Sequence, residues 1–167
     1  MRIRPATDKD AEAVAGLWTE AYTGAGPGGR STPYAASEFL DSARHGQPFV
    51  ALDGEELVGV VVFHAPLSSG KTVARDGEAE LARLAVATSA RRHGVGRALT
   101  ELCTELARET GAGAIALWSR PYQVAGHRLY ESLGYRPRPE RDDTDADGRR
   151  LIFVLDLDGA TAEAGKP

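Results

Sequence analysis

The apolar residues of this 167-residue chain switch repeatedly between helical and alternating spacing. Ala11, Val14, Ala15, Trp18, Ala21 and Tyr22 recur at three- and four-residue steps, which lines one face of a helix. An extended start, Arg2-Ile3-Arg4-Pro5, precedes it, and Thr7 and Asp8 are suited to cap its free N–H groups. Gly24, Gly26, Pro27, Gly28 and Gly29 stop the helix and open a loop. A weaker helix is expected over residues 35–43. Branched and aromatic residues then predict strands over 48–52 and 57–63. The Asp53-Gly54 pair between them is a hairpin signal, so the two should run antiparallel.

Residues 65–77, with Pro66, Ser68, Ser69 and Gly70, read as a loop, and 78–86 as a strand with successive side chains on opposite faces. After a glycine-bearing turn, Val95, Ala98, Leu99, Leu102, Cys103, Leu106 and Ala107 mark a second amphipathic helix, closed by Gly111 and Gly113. An apolar strand over 114–119 and a short helix over 124–133 follow, the helix stopped by Gly134. Strands over 135–139 and 151–156 finish the pattern, joined by a charged hairpin containing Asp147-Gly148. Residues 1–158 are expected to form one domain, and the remainder, without large apolar residues, to be a disordered tail. The order predicts an α/β fold in which helices cover a mixed central sheet.

Composition narrows the function. Hydrophobic residues make up 42% and charged residues 26% of the chain, as in an ordinary globular protein. A net charge of -4 argues against nucleic-acid binding, which needs a basic footprint. No apolar run approaches the ~20 residues that span a bilayer. No secretion signal is read at the start and the single Cys103 has no disulfide partner, so a cytoplasmic protein is expected. Cys103 lies in an apolar helical stripe and reads as core. Arg83, Arg91, Arg92 and Arg97 gather in one stretch, and Glu140, Asp142, Asp143, Asp145 and Asp147 in another.

The turn Arg91-Arg92-His93-Gly94-Val95-Gly96-Arg97 lies between a strand and a helix. Free N–H donors and the positive end of the helix dipole attract an anion to such a place. Gly94 and Gly96 leave the backbone open to a diphosphate, and the arginines add charge. A phosphate loop would end in Gly-Lys-Ser/Thr, but Gly96 is followed by Arg97-Ala98. A dinucleotide fingerprint would want a third glycine where Leu99 stands, and an acid on the next strand.

Arg91-Arg92-His93-Gly94-Val95-Gly96 resembles the Gln/Arg-x-x-Gly-x-Gly/Ala signature of the GNAT superfamily of N-acetyltransferases. The stretch from Glu80 to Val86 resembles that superfamily's fourth strand, and Ala125-Gly126-His127-Arg128-Leu129-Tyr130-Glu131-Ser132-Leu133-Gly134-Tyr135 its A-x-x-x-Y-E-x-x-G-F segment. The likeness covers about residues 2–157. It implies a GNAT-like fold with a mostly antiparallel sheet whose fourth and fifth strands splay apart. It also implies acetyl-CoA as cosubstrate, with no metal.

By that resemblance the pantetheine arm pairs with Leu84, Ala85 and Val86, and the pyrophosphate meets Arg91, Arg92, His93, Gly94, Val95, Gly96 and Arg97. Gln123 stands where an asparagine often contacts the cofactor, and Gly126 where alanine is usual. The reaction implied is direct attack of an amine on the thioester. An alkyl ammonium with a pKa near ~10 must lose a proton first. Glu80 corresponds to a position of the base in several relatives; Glu78 is the reserve and His64 a further candidate. Tyr130 corresponds to the tyrosine that protonates the departing thiolate.

Specificity is expected from residues 22–36, 65–77 and 137–151, where the loop acids would steer a cationic amine. Some relatives that acetylate protein N-termini carry a glutamate in the fifth strand twelve residues before the tyrosine, where this chain has Trp118. A small-molecule amine is therefore expected ahead of a peptide amine. A non-catalytic acyl-CoA sensor is the alternative from another class. Homodimers are common in the superfamily, but no residue here marks an interface.

Overall fold

A computed structural model describes residues 1–23 and 30–157. The part of the glycine-rich loop beyond Thr23 and the tail after Leu157 lie outside the described residues. The elements in chain order are β1 (Arg2–Pro5), α1 (Ala11–Tyr22), α2 (Ala36–His45), β2 (Gln47–Asp53), β3 (Glu56–His64), β4 (Glu78–Val86), α3 (Val95–Glu109), β5 (Ala114–Ser119), α4 (Val124–Ser132), β6 (Arg136–Pro137), β7 (Asp143–Asp145) and β8 (Gly148–Asp156). The sheet runs β1-β2-β3-β4-β5-β8-β6, with β7 paired to β8. Every pairing is antiparallel except that of β4 with β5. Among the described residues no helix is long and apolar enough to cross a membrane.

The first helix is entered through a 3-10 turn at Asp8–Asp10, so Asp10 rather than Asp8 stands at its start beside the expected Thr7. Asp10 accepts the Thr7 N–H at 2.8 Å and holds Arg4 through two contacts of 2.8 and 2.9 Å, which joins β1 to the start of α1. Trp18, Val14 and Phe39 are wholly buried where α1 and α2 cover one face of the sheet. The opposite face takes α3, whose Leu99, Cys103 and Ala107 are also sealed in the core. Strand residues explain the division: Val60, Val62 and His64 point toward α1 and α2, whereas Gly59, Val61 and Phe63 point the other way.

Gly59 sets how close α3 can come. A Cβ there would lie 2.6 Å from Val95 Cγ1 and 3.0 Å from Leu99 Cδ1. The bare strand surface thus lets the first turn of α3 lie against β3, beside the end of β4.

The last part of the chain departs from the expected pair of strands. The strand expected over 135–139 shrinks to β6, because Tyr135 is spent on the core and Pro139, lacking an N–H, opens a 3-10 turn. The hairpin is itself strand-like: β7 pairs with a longer β8 that begins at Gly148.

Gly59→Ala is expected to lower stability by about 1–3 kcal/mol, because the added methyl must displace α3. Urea denaturation with an unchanged m-value would check it.

Candidate active site

Strands β4 and β5 are in register only at Glu78–Ala114, Ala79–Ile115 and Glu80–Ala116. Beyond Glu80 the two part: β5 continues against β8 while the β5-facing edge of β4 gains no partner strand. A bulge sharpens the divergence. Val60 pairs with Ala85 and Val62 with Ala82, so three steps on β4 match two on β3. The extra residue is Arg83, held at φ 52, a left-handed conformation that costs a non-glycine residue about 1 kcal/mol or more. Helix α1 holds the bulge in place. Trp18 Nε1 donates to the Arg83 carbonyl at 3.3 Å, and the Tyr22 hydroxyl donates to the Leu84 carbonyl.

The turn before α3 follows directly from β4. Arg92 and Gly94 both have positive φ, 66 and 81, and backbone of this kind cups successive N–H groups toward one point. Gly94 is needed for that conformation. Gly96 has a different reason: a Cβ there would meet Leu129 of α4 at 3.2 Å, so its bareness admits a neighbouring helix. Arg91 Nε lies 3.4 Å from the Val86 carbonyl, and Arg97 reaches Ser132 at 3.1 Å. Leu84, Ala85, Val86 and residues 91–97 thus form one continuous run along the gap and round the start of α3.

Tyr130 of α4 is 7% exposed and packs on Tyr135 and Phe153 with ring centres 6.0 and 6.1 Å away. Its hydroxyl makes no hydrogen bond with a described residue. No sealed-in side-chain nitrogen or oxygen among them lacks a partner, so this hydroxyl, though largely buried, is not closed off entirely. Burial, and next the nearby Cys103, push the phenol well above the ordinary tyrosine value and keep it protonated. Burial is likewise the leading cause that raises the Tyr22 phenol above its ordinary value. Gly126 sits 3.5 Å from the Tyr130 ring by its would-be Cβ, an ordinary contact, so the missing methyl of the usual alanine leaves the tyrosine's seat intact.

Glu80 is 0% exposed. Oε1 accepts N–H bonds from Thr72 at 3.0 Å and from Val73 and Ala74 at 2.8 Å. Oε2 accepts the Thr72 N–H and hydroxyl, both at 3.1 Å. The residue 65–77 loop is therefore pinned across the sheet by a strand carboxylate, something no local sequence signal announced. Glu78 is taken as well: burial would raise it, but Arg141 at 2.9 and 3.1 Å and the Arg75 N–H hold it below the usual carboxylate range.

Gln123 ends the turn into α4. Its side-chain oxygen accepts from Ser119 at 2.9 Å and from the Arg120 N–H at 2.7 Å, which leaves its amide nitrogen for a ligand. Most of the hairpin acids that would steer a cation are neutralised within the fold. Asp142 pairs with Arg149, Asp143 with Arg150 and Asp145 with Arg120. Arg120 and Arg150 also lie 4.6 and 5.6 Å from the Trp118 ring centre, so that side of the cleft is built of cations on an aromatic face.

His64, opposite Glu80 in the β3–β4 register, has Nδ1 2.8 Å from Ser68 Oγ and 3.3 Å from the His45 carbonyl. The Ser68 hydroxyl is itself donated to that carbonyl. Gly46 and Gly70 press on the ring, each with a would-be Cβ 2.6 Å from its Cε1.

Comparison with known proteins agrees with this geometry. Residues 11–135 match the acetyltransferase (GNAT) family, so the chain belongs to it. Over 86 residues it is 33% identical to the N-acetylaspartate synthetase of Danio rerio; the match covers 48% of this chain and 30% of that protein. The fold is shared with the ribosomal-protein-S18-alanine N-acetyltransferase of Escherichia coli, at a TM-score of 0.69 and 21% identity over 93% of both chains. It is also shared with yncA of Salmonella typhimurium, solved with its cofactor acetyl-CoA, at 0.73 and 21% identity over 94% of both chains. A Bacillus subtilis acetyltransferase in complex with CoA scores 0.65 at 22% identity, covering 93% of this chain and 98% of that one.

Burial is the leading cause that holds the His64 imidazole below its ordinary 6.5. Below pH 6.5 the unfolded chain takes up the proton before the folded one, so stability falls as pH drops through that window. The melting temperature should decline below about pH 6.5, and His64→Gln should flatten that slope.

Proposed function

We propose that this protein transfers an acetyl group from acetyl-CoA to a primary amine of a small molecule, by direct attack of the amine on the thioester. The observation that carries the reading is the open edge of β4 beyond Glu80, which ends at the cupped turn before α3, where α4, the helix of Tyr130, packs against Gly96 through Leu129. An unpaired strand edge offers N–H and C=O groups to the amides of a pantetheine arm, here at Leu84, Ala85 and Val86. The backbone from Arg92 to Arg97, with the nearby arginines, offers donors to a pyrophosphate. Gln123 has its amide nitrogen to give.

Tyr130 suits the acid that meets the departing thiolate. A buried phenol kept neutral holds its proton until a stronger base forms beside it. Tyr130→Phe is expected to lower kcat by about 100-fold with acetyl-CoA affinity little changed. Thiol release measured beside calorimetric titration of acetyl-CoA would check this. Full turnover in the variant would remove the assignment.

Glu80 fits the base through Oε2, which has fewer donors than Oε1 and would act by way of a water, since the carboxylate is buried. Its five contacts with residues 72–74 favour a second role, that of anchoring the loop. Glu80→Gln separates the two. A base predicts a large loss in kcat and a changed pH–rate profile at near-normal stability. An anchor predicts a lowered melting temperature and faster amide exchange at Val73 and Ala74, with the pH profile of the residual rate unchanged.

A small acceptor is supported by Trp118, packed between two arginines where a peptide-acetylating relative would place a glutamate. The name of the Danio rerio relative, a synthetase of an N-acetylated amino acid, points the same way. A screen of amines and peptides for thiol release tests the whole reading: binding of acetyl-CoA without amine-dependent release would leave an acyl-CoA sensor instead.

A further inference from the structure

Among the arginines beside α1, α2 and the hairpin, Arg83 stands apart; along the gap it shares with Arg92, in the turn before α3, a guanidinium that makes no ion pair with a described residue. Arg30 is bound to Glu38 by two contacts of 2.6 Å, Arg120 to Asp145, Arg141 to Glu78 and Arg150 to Asp143. The Arg83 guanidinium has neither a hydrogen bond nor an ion pair with any described residue. Its contacts are aromatic: it lies 4.9 Å from the Trp18 ring centre and 5.7 Å from that of Tyr34. Stacking fixes the plane of a guanidinium while leaving its N–H groups at the edge unspent.

Its place is as distinctive as its lack of a partner. Arg83 is the bulged residue itself, in left-handed backbone that a glycine would adopt without strain. Its carbonyl is held by Trp18 and the next carbonyl by Tyr22, so the guanidinium stem rises from the point where β4 parts from β5. Tyr22, hydrogen-bonded to the Leu84 carbonyl, flanks the same bulge. Glu38 is already committed to Arg30. An exposed, planar cation without an ion-pair partner therefore stands at the bulge of β4, just beyond the last residue paired with β5.

We propose that Arg83 receives the carboxylate of the acceptor, which makes the acceptor an amino acid or a closely similar amine bearing a carboxylate. This rests on the N-acetyltransferase reading above and adds to it the substrate class. A fork of two N–H groups matches the two oxygens of a carboxylate, and the stacked rings limit the ways the pair can turn. The acceptor amine is then directed toward the thioester by its own acid group. A purely structural role would need only the aliphatic stem and the ring contacts, and would treat charged and neutral acceptors alike.

The test compares amino acids with their carboxamides and with the matching decarboxylated amines, using acetyl-CoA and thiol release. In the wild-type protein the acids should exceed the amides in kcat/KM by about tenfold or more, chiefly through KM. Arg83→Gln should lower kcat/KM for the acids by about 30-fold while changing that for the amides less than about threefold, and Arg83→Lys should recover part of the loss. Equal use of acids and amides by the wild-type protein would overturn the inference while leaving the acetyltransferase reading intact. So would an equal loss for both in Arg83→Gln. No thiol release with any amine would remove the acetyltransferase reading and this inference with it.

Discussion

The parting of β4 from β5 governs the rest of the molecule. Two parallel strands that stop pairing after three positions leave a row of backbone donors and acceptors without partners, a costly arrangement unless something else meets them. The fold holds the strands apart with a one-residue bulge at Arg83, fixed from the α1 side by Trp18 and Tyr22. It closes the paired side with Glu80, whose carboxylate ties down the loop at residues 72–74. The gap is thus a rigid slot with a tightened end and an open end.

The helices are placed to serve that slot. Gly59 lets α3 lie low on the sheet, which brings its first turn beside the open end of β4. Gly96 lets α4 approach α3, and α4 delivers Tyr130 to the same place. Two bare residues on different elements, neither at a turn, therefore decide how close three elements come. A strained arginine and an αL glycine in the connecting turn complete a backbone whose polar groups face inward.

Charge is distributed with the same economy. Asp142, Asp143 and Asp145 of the hairpin are paired with arginines, which stiffens the hairpin and offsets most of the negative patch that the sequence displays. Along the gap, what stays without an ion-pair partner among the described residues includes Arg83 at the bulge and Arg92 in the turn before α3. A linear reading sees a basic stretch and an acidic stretch; the fold offsets most of one and exposes part of the other.

The amphipathic periods, the Asp53-Gly54 turn and the glycine-marked helix ends were sufficient to give nearly every element, since local backbone preference and one-sided burial act over a few residues. The motif around Gly94 and the Tyr130 segment were legible for the same reason, being short and contiguous. Strand β6 was misjudged in length because tertiary packing, not local pattern, claims Tyr135. The spacing marks Gly96 as bare backbone, and packing adds that its bareness also makes room for Leu129. The five hydrogen bonds to Glu80, the ion pairs that silence the hairpin acids and the solitary state of Arg83 were decided only in three dimensions. Each depends on residues far apart in the chain meeting at one point, and no period or spacing along a sequence records which partner arrives.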